Sequence, residues 1–397
     1  MKILIKNGRL VDAFRDEIAD ILIENDKIIK IGKLDKEDIE TTIDAKNNII
    51  MPGFIDTHAH FRDPGFTYKE DLETGSWAAI NGGYTFVNLM ANTKPICDNI
   101  ETLNYINEKA EKIDICGINQ TFSITKGLLG QEFIDFTKLN DQVKILSDDG
   151  KDLLSNHMMY EACKICAKLD KTIMVHAEDS EISPYDYRVA EDLITIRDVY
   201  LSGQTGCHIH MSHVSTKDSI DAVRYGKSKG YNVTAEVTPH HISLYDMEYR
   251  VNPPIRNKQD VEAMIEAIKD DTIDCIGTDH APHSDEDKSK GSPGLVGLET
   301  AFSICNTYLV KEGHIDYKKL SKIMSYGGAS ILRLEKRGLL KEGYYADIVI
   351  VDKDAEVKVD SNKFKSKSRN TPFDGKLLFG KVLLTMRNGR ILKDDNR

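Results

Sequence analysis

The sequence has no apolar run that approaches the ~18 residues needed to cross a membrane. Its first eight residues, MKILIKNG, are too briefly apolar for a signal peptide, and no small-residue cleavage site follows them. We therefore expect a cytoplasmic protein. A hydrophobic content of 40% and a charged content of 29% are typical of a soluble globular chain.

Positive charge is in short supply. The chain has 53 basic and 64 acidic residues, which give a formal net charge of −11. This balance disfavours nucleic acid or an anionic membrane as a general partner. It remains compatible with a small anionic substrate, because salt screens distant charges and leaves a local cationic pocket effective.

Cysteine is also sparse, and its spacing does not suggest a disulfide framework. An odd count of seven scattered cysteines predicts reduced thiols. Cys163 and Cys166 form a CxxC inside a segment with helical periodicity, 160–169. Because no second CxxC completes a zinc site, we interpret them as buried thiols one helical turn apart.

The two ends of the chain resemble each other. Segments 6–11 and 387–392 each place an Asn-Gly pair between apolar–polar strands, which predicts a hairpin in both places. Further strands are predicted in the flanking regions, over 20–31, 48–51, 347–352 and 381–386. We expect one small β domain assembled from residues 1–50 and 340–397.

The central segment, 51–339, has a different rhythm, in which β-branched apolar runs alternate with amphipathic helical stretches. The predicted strands are 53–57, 85–90, 116–122, 143–146, 172–175, 207–212, 232–237 and 273–277. The predicted helices include 71–81, 156–169, 216–229 and 258–269. Eight strands over nearly 300 residues favour an α/β fold of the (β/α)₈ barrel type. A doubly wound sheet is the alternative, but no Gly-rich phosphate loop follows the first strand.

Polar residues able to bind a metal follow nearly every predicted barrel strand. In strand order they are His58, His60 and Arg62; Asn92; Asp148 and Asp149; His176; His213; His240 and His241; and Asp279, His280 and His283. In a barrel, the carboxyl ends of the strands converge on one face, where the chemistry takes place. Taken singly, each has a plainer interpretation as a packing histidine or an ordinary turn, but their common order favours a metal site.

The residue types indicate which metal. His58 and His60 are one residue apart, so an extended strand directs both imidazoles to the same side. Imidazole and carboxylate together suit zinc or another borderline divalent ion. Asp279, on the last strand, is next to the first strand in a closed barrel and can reach the same ion. His176, His213 and one carboxylate of the Asp148–Asp149 pair could hold a second ion.

Seven motifs lie along the chain: MPGFIDTHAHFRDPG at 51–65, SDDG at 147–150, VHAED at 175–179, SHVST at 212–216, EVTPHH at 236–241, NPPIR at 252–256 and GTDHAPH at 277–283. Together they resemble the motifs of the cyclic amidohydrolases, and of class I (bacterial-type) dihydroorotases in particular. The resemblance spans essentially the whole chain. It implies the reversible cyclisation of N-carbamoyl-L-aspartate to L-dihydroorotate, a step of de novo pyrimidine synthesis.

The resemblance also implies a role for each matching residue. His58, His60 and Asp279 would bind one zinc, His176 and His213 the other, and Asp149 would serve the second zinc or bridge both. Asp279 would also be the catalytic acid and base. The substrate-binding residues would be His60, Arg62, Asn92 and His283, together with Asn252, Pro293 and Gly294 against the ring. A homodimer is expected, with association with aspartate transcarbamoylase as an open question.

Several alternatives stay open at this point. The chain could be a hydantoinase, a dihydropyrimidinase or an allantoinase, or a non-catalytic scaffold for aspartate transcarbamoylase. Lys144 could replace Asp149 as a carbamylated metal bridge. Two departures from the family pattern concern loop shape: Ala91 stands where a proline is usual, and the segment between His176 and His213 is short. The polar segment 284–293 is predicted to be a mobile loop over the substrate, against the alternative of an ordinary exposed loop.

Overall fold

The computed structural model describes residues 1–34 and 39–396, so positions 35–38 and 397 of the predicted terminal β domain lie outside the described residues. Its strands are β1 (Lys2–Val11), β2 (Asp16–Glu24), β3 (Lys27–Gly32), β4 (Thr41–Asp44), β5 (Ile49–Pro52), β6 (Phe54–Ala59), β7 (Tyr84–Leu89), β8 (Gly117–Gln120), β9 (Ile145–Leu146), β10 (Thr172–Val175), β11 (His208–Met211), β12 (Val233–Val237), β13 (Cys275–Ile276), β14 (Ile348–Lys358), β15 (Leu377–Arg387) and β16 (Arg390–Asp394).

The α-helices lie between and after the central strands. They are α1 (Leu72–Asn81), α2 (Ile100–Ile113), α3 (Asn156–Lys168), α4 (Tyr187–Thr205), α5 (Lys217–Ser228), α6 (Lys258–Lys269), α7 (Asp285–Ser289), α8 (Ala301–Cys305), α9 (Tyr317–Ser321) and α10 (Gly327–Ile331). Two π-helical segments, Asn306–Lys311 and Lys322–Tyr326, continue α8 and α9. No helix within the described residues is both long enough and apolar enough to cross a bilayer.

Strands from both chain ends form one mixed sheet. Its order is β16-β15-β14-β5-β1-β2-β3, and β4 pairs in parallel with β1 outside this path. Alternate residues of the central strands point into a shared apolar core that includes Ile5, Leu10, Ile350 and Leu384. The segment predicted as one strand over 20–31 is the antiparallel pair β2 and β3.

The two Asn-Gly pairs adopt different structures. Asn388-Gly389 is the turn between β15 and β16, as predicted. The hairpin predicted at Asn7-Gly8 is wrong, because β1 continues through it with a shift of register. At this bulge β1 changes its parallel partner from β4 to β5. Long-range strand pairing therefore overrides the local turn preference of Asn-Gly at the N-terminal site.

Strands β6 to β13 form the predicted barrel. All of their pairings are parallel, in two runs, β6-β7-β8 and β9-β10-β11-β12-β13. A parallel bridge between Phe122 and Leu146 joins the runs on one side, and one between Ala59 and His280 joins them on the other. The strand ends therefore form a ring, with His58, at the end of β6, beside the residues that follow β13.

The third strand–helix unit departs from the regular barrel. In the described residues between β8 and β9, two 3₁₀ turns, Lys126–Leu128 and Phe136–Lys138, replace an α-helix. Asp148 fixes this segment, because its carboxylate accepts hydrogen bonds from the backbone N–H groups of Ile124 and Thr125 at 2.7 and 3.1 Å, and from the Thr125 hydroxyl. The hydrogen-bond partners of the Asp148 carboxylate are therefore backbone and hydroxyl groups beside the site.

Candidate metal centre and substrate cavity

The six predicted metal ligands lie together at the carboxyl ends of the barrel strands, and all are buried. Two groups of ligand atoms have every atom within 4.8 Å of the others: His58, His60 and Asp149, and Asp149, His176 and His213. Asp279 belongs beside the first group, since its Oδ1 is 3.2 Å from His60 Nε2 and 3.8 Å from His58 Nε2. The shared member, Asp149, lies between the two groups.

Backbone conformation helps to aim these side chains. Arg62, His213 and Asp279 have φ angles of 59°, 34° and 45°, in the left-handed region that side-chain-bearing residues seldom occupy. Such conformations persist where the surrounding structure enforces them, and they cluster at functional sites. All three residues lie where the chain leaves a barrel strand, and their side chains lie at the carboxyl end of the barrel.

Each of three histidines has one ring nitrogen held by an oxygen outside the two ligand groups. His58 Nδ1 is 3.0 Å from Glu236 Oε1, His60 Nδ1 is 2.9 Å from Asn92 Oδ1, and His176 Nε2 is 3.0 Å from Glu178 Oε2. This is how metal-binding histidines are usually oriented, because the outer bond fixes the tautomer and leaves the other nitrogen free.

The inner atoms lack the partners that buried polar groups normally have. His58 Nε2 and Asp149 Oδ1 lie 3.3 Å apart, yet neither makes a hydrogen bond. Buried polar atoms without partners are costly unless an ion or water satisfies them. Nitrogen and carboxylate oxygen directed at one point are a donor set that fits a divalent cation of the zinc type.

The electrostatics of the groups favour binding of a cation. Burial alone would raise the pKa of Asp149, but the neighbouring His58, His60 and His176 hold it well below its usual range. Burial likewise opposes protonation of His58, but Asp149 and Glu236 raise the pKa of His58 well above its usual value. The same interactions favour an ionised Asp149 beside a protonated His58, and a metal bound between them would displace that proton.

A cavity of about 230 Å³ opens beside this centre. Its lining includes every residue predicted to bind substrate, namely His60, Arg62, Asn92, Asn252, His283, Pro293 and Gly294. Asp149, His176, His213 and Asp279 also face it, whereas His58 is not part of its lining. The cavity is smaller than the 300–1,000 Å³ typical for drug-sized ligands, which favours a small substrate.

One wall of the cavity is cationic. Arg62 Nη2 lies 3.3 Å from His283 Nε2, and Lys69 Nζ lies 3.3 Å from His283 Nδ1. Burial and these two cations lower the pKa of His283 to about 3, so its imidazole is neutral near pH 7. Lys69, which was not predicted, also pairs with Asp287 of α7 at 3.4 Å. Lys69 does not line the cavity itself and reaches it only through His283. It follows the first motif by only four residues, but no feature of the sequence indicates this contact.

The two cavity asparagines contact the metal centre. Asn92 Nδ2 donates to Asp149 Oδ2 at 3.3 Å, in addition to its bond with His60. Asn252 Nδ2 donates to Glu178 Oε2 at 2.7 Å and lies 3.2 Å from His176 Nε2. Glu178 therefore links a predicted ligand to a predicted substrate residue. Glu178 belongs to the VHAED motif, but the sequence does not predict this role, because the contact with Asn252 spans 74 residues.

A segment from the C-terminal part of the chain supports the substrate side. Asn370 accepts a hydrogen bond from the His283 backbone N–H at 3.1 Å and donates to the carbonyls of Ala281 and Gly294 at 3.2 and 3.1 Å. It thus holds both loops that line the cavity beyond β13. No local pattern in the sequence indicates this role of Asn370.

The segment 284–293 is more ordered than the predicted loop. It contains α7, which begins with a capping box between Ser284 and Asp287. Lys288 Nζ donates to the carbonyls of Arg250, Ser292 and Gly294 at 2.9 to 3.0 Å. The helix was not predicted because its five residues are too few for a periodic pattern. Movement of the segment over a substrate stays a prediction.

Two other sequence expectations concern residues near the site. Lys144 Nζ donates to the Arg333 carbonyl at 2.9 Å and does not line the cavity, so its position does not suit a metal bridge. Ala91 is buried, and its carbonyl accepts from the N–H groups of Thr93 and Cys97 at 2.9 and 3.0 Å. These bonds hold the turn where a proline was expected.

Cys163 and Cys166 are buried free thiols in α3, as predicted.

Comparison with known proteins identifies the family. The model of the amidohydrolase family matches residues 49–392. A dihydroorotase from Clostridium botulinum (strain Eklund 17B / Type B) is 49% identical over 395 residues, covering 98% of this chain and 99% of the relative. A dihydroorotase from Clostridioides difficile (strain 630) is 41% identical over 421 residues, covering 98% and 99%. The chain therefore belongs to the amidohydrolase family, and within it to the dihydroorotases.

Solved structures agree on the fold. An L-hydantoinase (dihydropyrimidinase) from Arthrobacter aurescens superposes with a TM-score of 0.91 at 25% identity, and a dihydropyrimidinase from Brevibacillus agri NCHU1002 superposes with 0.90 at 22%. Each comparison covers 100% of this chain and 96% of the other. The barrel with a small β domain is thus confirmed. Family membership and the two ligand groups together indicate a metal-dependent hydrolase.

Proposed function

We propose that this chain is a dihydroorotase, which interconverts N-carbamoyl-L-aspartate and L-dihydroorotate plus water in de novo pyrimidine biosynthesis. The observation that carries the proposal is one small cavity in which a ligand set for metal faces a cationic wall suited to a carboxylate. Identity of 49% with a curated dihydroorotase over 395 residues supports the same reaction.

The proposed cofactor is a pair of zinc ions. His58, His60 and Asp279 would hold one ion, His176 and His213 the other, and Asp149 would serve both. This assignment is supported by the position of Asp149 in both ligand groups and by the unpartnered His58 Nε2 and Asp149 Oδ1. When bound, zinc would lower the pKa of water and polarise the amide carbonyl.

The cationic wall would bind the substrate's carboxylate. Arg62 offers a planar guanidinium that can donate two parallel hydrogen bonds to one carboxylate. Neutral His283 has one ring N–H, which would donate to the same carboxylate after leaving its contact with Arg62 or Lys69. Asn92 would donate through Nδ2 in place of its bond to Asp149. Asn252 and the backbone of Pro293 and Gly294 would contact the ring from the opposite side, consistent with their place in the cavity lining.

Asp279 would move the proton. In the hydrolytic direction a water oxygen forms a bond with the ring amide carbon, and Asp279 accepts a proton from that water. The carbon–nitrogen bond then breaks, and Asp279 returns the proton to the departing ring nitrogen. Although burial opposes it, the neighbouring His60, His58 and His213 keep the pKa of Asp279 low, which supports an ionised carboxylate ready to accept the proton.

The test measures metal content and dihydroorotate hydrolysis in the same preparation, with hydantoin, dihydrouracil and allantoin as competing substrates. We expect bound zinc and a preference for dihydroorotate. Arg62→Lys should raise KM for dihydroorotate much more than for uncharged dihydrouracil, because lysine keeps the charge but loses the bidentate contact. A preference for an uncharged ring would favour a hydantoinase or dihydropyrimidinase, and absence of metal and turnover would favour a scaffold. Association with aspartate transcarbamoylase stays a prediction.

A further inference from the structure

The ammonium group of Lys288 is surrounded by backbone carbonyls. Its Nζ donates to the carbonyl oxygens of Arg250 and Gly294 at 2.9 Å each, and to that of Ser292 at 3.0 Å. A charged lysine has three N–H donors and no acceptor, so these three bonds satisfy it completely. The centre of the Tyr249 ring lies 4.6 Å from the same Nζ, a further contact that favours a cation.

These carbonyls belong to two segments, 250–252 and 292–294, that come together beside the substrate cavity. Three of their residues line the cavity, namely Asn252, Pro293 and Gly294. The segments meet at the Arg250 carbonyl, which accepts from the Gly294 backbone N–H at 3.0 Å as well as from Lys288. Lys288 does not line the cavity, so any effect on substrate must pass through these two segments.

The backbone of Gly294 is packed closely against the opposite segment of the cavity wall. Its φ angle of 130° suits glycine, and a Cβ at this position would lie 2.6 Å from the Cβ of Ala281. Its carbonyl is held by two donors, Lys288 and Asn370. A displacement here would therefore change the shape of the cavity, and a shift of about 1 Å in a positioning group can cost up to about 100-fold in rate.

We propose that Lys288 is a positioning residue for the substrate, which as a charged ammonium group holds segments 250–252 and 292–294 where they contact the ring. The inference rests on the proposed function, because the ring in question is that of dihydroorotate. A neutral amine has only two N–H donors and one lone pair. Loss of the proton would leave at least one of the three carbonyls without its donor and loosen this side of the cavity.

The surroundings of Lys288 bring the loss of its proton into an accessible pH range. Burial, and after it the positive charge of Arg250, lower the pKa of Lys288 from 10.5 to about 8. The group is therefore charged at pH 7 and neutral well above pH 8. Tyr249 and His283 face it from neighbouring segments and stay neutral through this range, because burial raises the pKa of Tyr249 to about 12 and lowers that of His283 to about 3.

The ionisable neighbours of Lys288 along the chain are exposed or paired elsewhere. Asp287 pairs with Lys69, Glu286 pairs with Lys290, and Asp285 is exposed. The three carbonyls are thus the hydrogen-bond partners that would respond when Lys288 changes charge.

The first test is the pH dependence of dihydroorotate hydrolysis. In wild type, KM should rise about 10-fold from about pH 7 to about pH 9.5, with a smaller change in kcat. Lys288→Met should have the higher KM already at pH 7 and show no such rise. Lys288→Arg keeps a cation throughout this range, so it should restore a low KM and remove the alkaline rise. Lys290→Met is the matched control, since Lys290 is 68% exposed and pairs with Glu286, and it should behave as wild type.

Hydrogen exchange tests the same contact without substrate. The Gly294 N–H is bonded to the Arg250 carbonyl, so exchange of the backbone around 292–294 reports whether the two segments are held together. At pH 7 this exchange should be about 10-fold faster in Lys288→Met than in wild type, and unchanged in Lys290→Met.

The two measurements separate this inference from the proposed reaction. A wild-type protein that does not hydrolyse dihydroorotate would refute the proposed function, and the exchange rates would still decide whether Lys288 holds the segments. Unchanged exchange in Lys288→Met, a wild-type KM in that variant at pH 7, or an alkaline rise of KM in Lys288→Arg equal to that of wild type would overturn the role of Lys288.

Discussion

Glu236 is the side chain by which the barrel interior should influence the metal centre most strongly. It is fully buried on β12, and its Oε1 lies 3.0 Å from His58 Nδ1 and 3.3 Å from the backbone nitrogen of His213. Its Oε2 lies 3.1 Å from His210 Nε2 and accepts the Thr57 hydroxyl. One carboxylate thus orients His58 and holds the turn at His213, and these two residues belong to different ligand groups.

Two substitutions separate the charge of Glu236 from its hydrogen bond. In Glu236→Gln the amide nitrogen can donate to Thr57 and His210, because both side chains can act as acceptors instead of donors. The amide oxygen can still accept the hydrogen bond from His58 Nδ1 and keep this ring oriented. Glu236→Met removes the acceptor altogether and leaves His58 Nδ1 buried without a partner. Loss of an outer partner of a metal ligand typically costs 10- to 100-fold in metal affinity. We expect about 10-fold for Gln and about 100-fold for Met, which correspond to ~1.4 and ~2.7 kcal/mol.

The assay is zinc binding to the metal-free protein, measured by competition with a chromophoric chelator. Asp198→Asn is the matched control, because Asp198 is an equally buried carboxylate that pairs with Arg197 instead of a candidate ligand. The control should lower thermal stability and leave the zinc dissociation constant unchanged. If Glu236→Met bound zinc within twofold of wild type, or if Asp198→Asn lost as much affinity as Glu236→Met, the orienting role of Glu236 would be wrong.

Three further predictions follow from individual side chains. Asp149→Asn should remove most bound metal by elemental analysis, whereas Asp148→Asn should retain it and mainly lower the melting temperature, because Asp148 holds backbone N–H groups; equal metal loss in both would contradict this. Lys69→Met should raise KM for dihydroorotate about 10-fold with a smaller change in kcat, because it removes the cation that contacts the lining residue His283; an unchanged KM in steady-state kinetics would exclude that role. Burial lowers the pKa of Lys393 from 10.5 to about 8. Below pH 8 the charged, buried Lys393 therefore lowers the free energy of unfolding, and this loss disappears as pH rises toward 10.5. The unfolding free energy of wild type relative to Lys393→Met should therefore rise by on the order of 1–2 kcal/mol from pH 8 to 10.5 in denaturant titrations, and a flat difference would contradict it.

The candidate ligands could be predicted because each one follows or ends a barrel strand. A run of β-branched residues marks a strand, and parallel strands in a closed ring bring their carboxyl ends together. Position along the chain then translates into position in space, so that His58, His176 and Asp279 could be grouped although 221 residues separate the first from the last. No knowledge of side-chain contacts is needed for this step.

The same reasoning could not separate the two acids at 148–149. They are adjacent, both follow β9, and both are buried. What distinguishes them is the backbone of the segment 124–125, which bonds with Asp148 and leaves Asp149 to the metal centre. The family resemblance selected Asp149, whereas the physical reason appears only with the path of the loop. The wrong hairpin at Asn7-Gly8 has the same origin, since distant strands decide which backbone groups are paired there.

The roles of residues that support the site from a distance could not be predicted from the sequence. Glu236 lies within a strand, not after it, and Asn370 comes from a segment far beyond the barrel strands. Neither has a neighbour in sequence that reveals its contact. Yet Glu236 orients the candidate ligand His58 from within β12, and Asn370 holds the loops of His283 and Gly294 through hydrogen bonds. The strand ends therefore specify which groups meet, and contacts between distant segments specify how closely each group is held, which is the property that decides metal affinity and substrate choice.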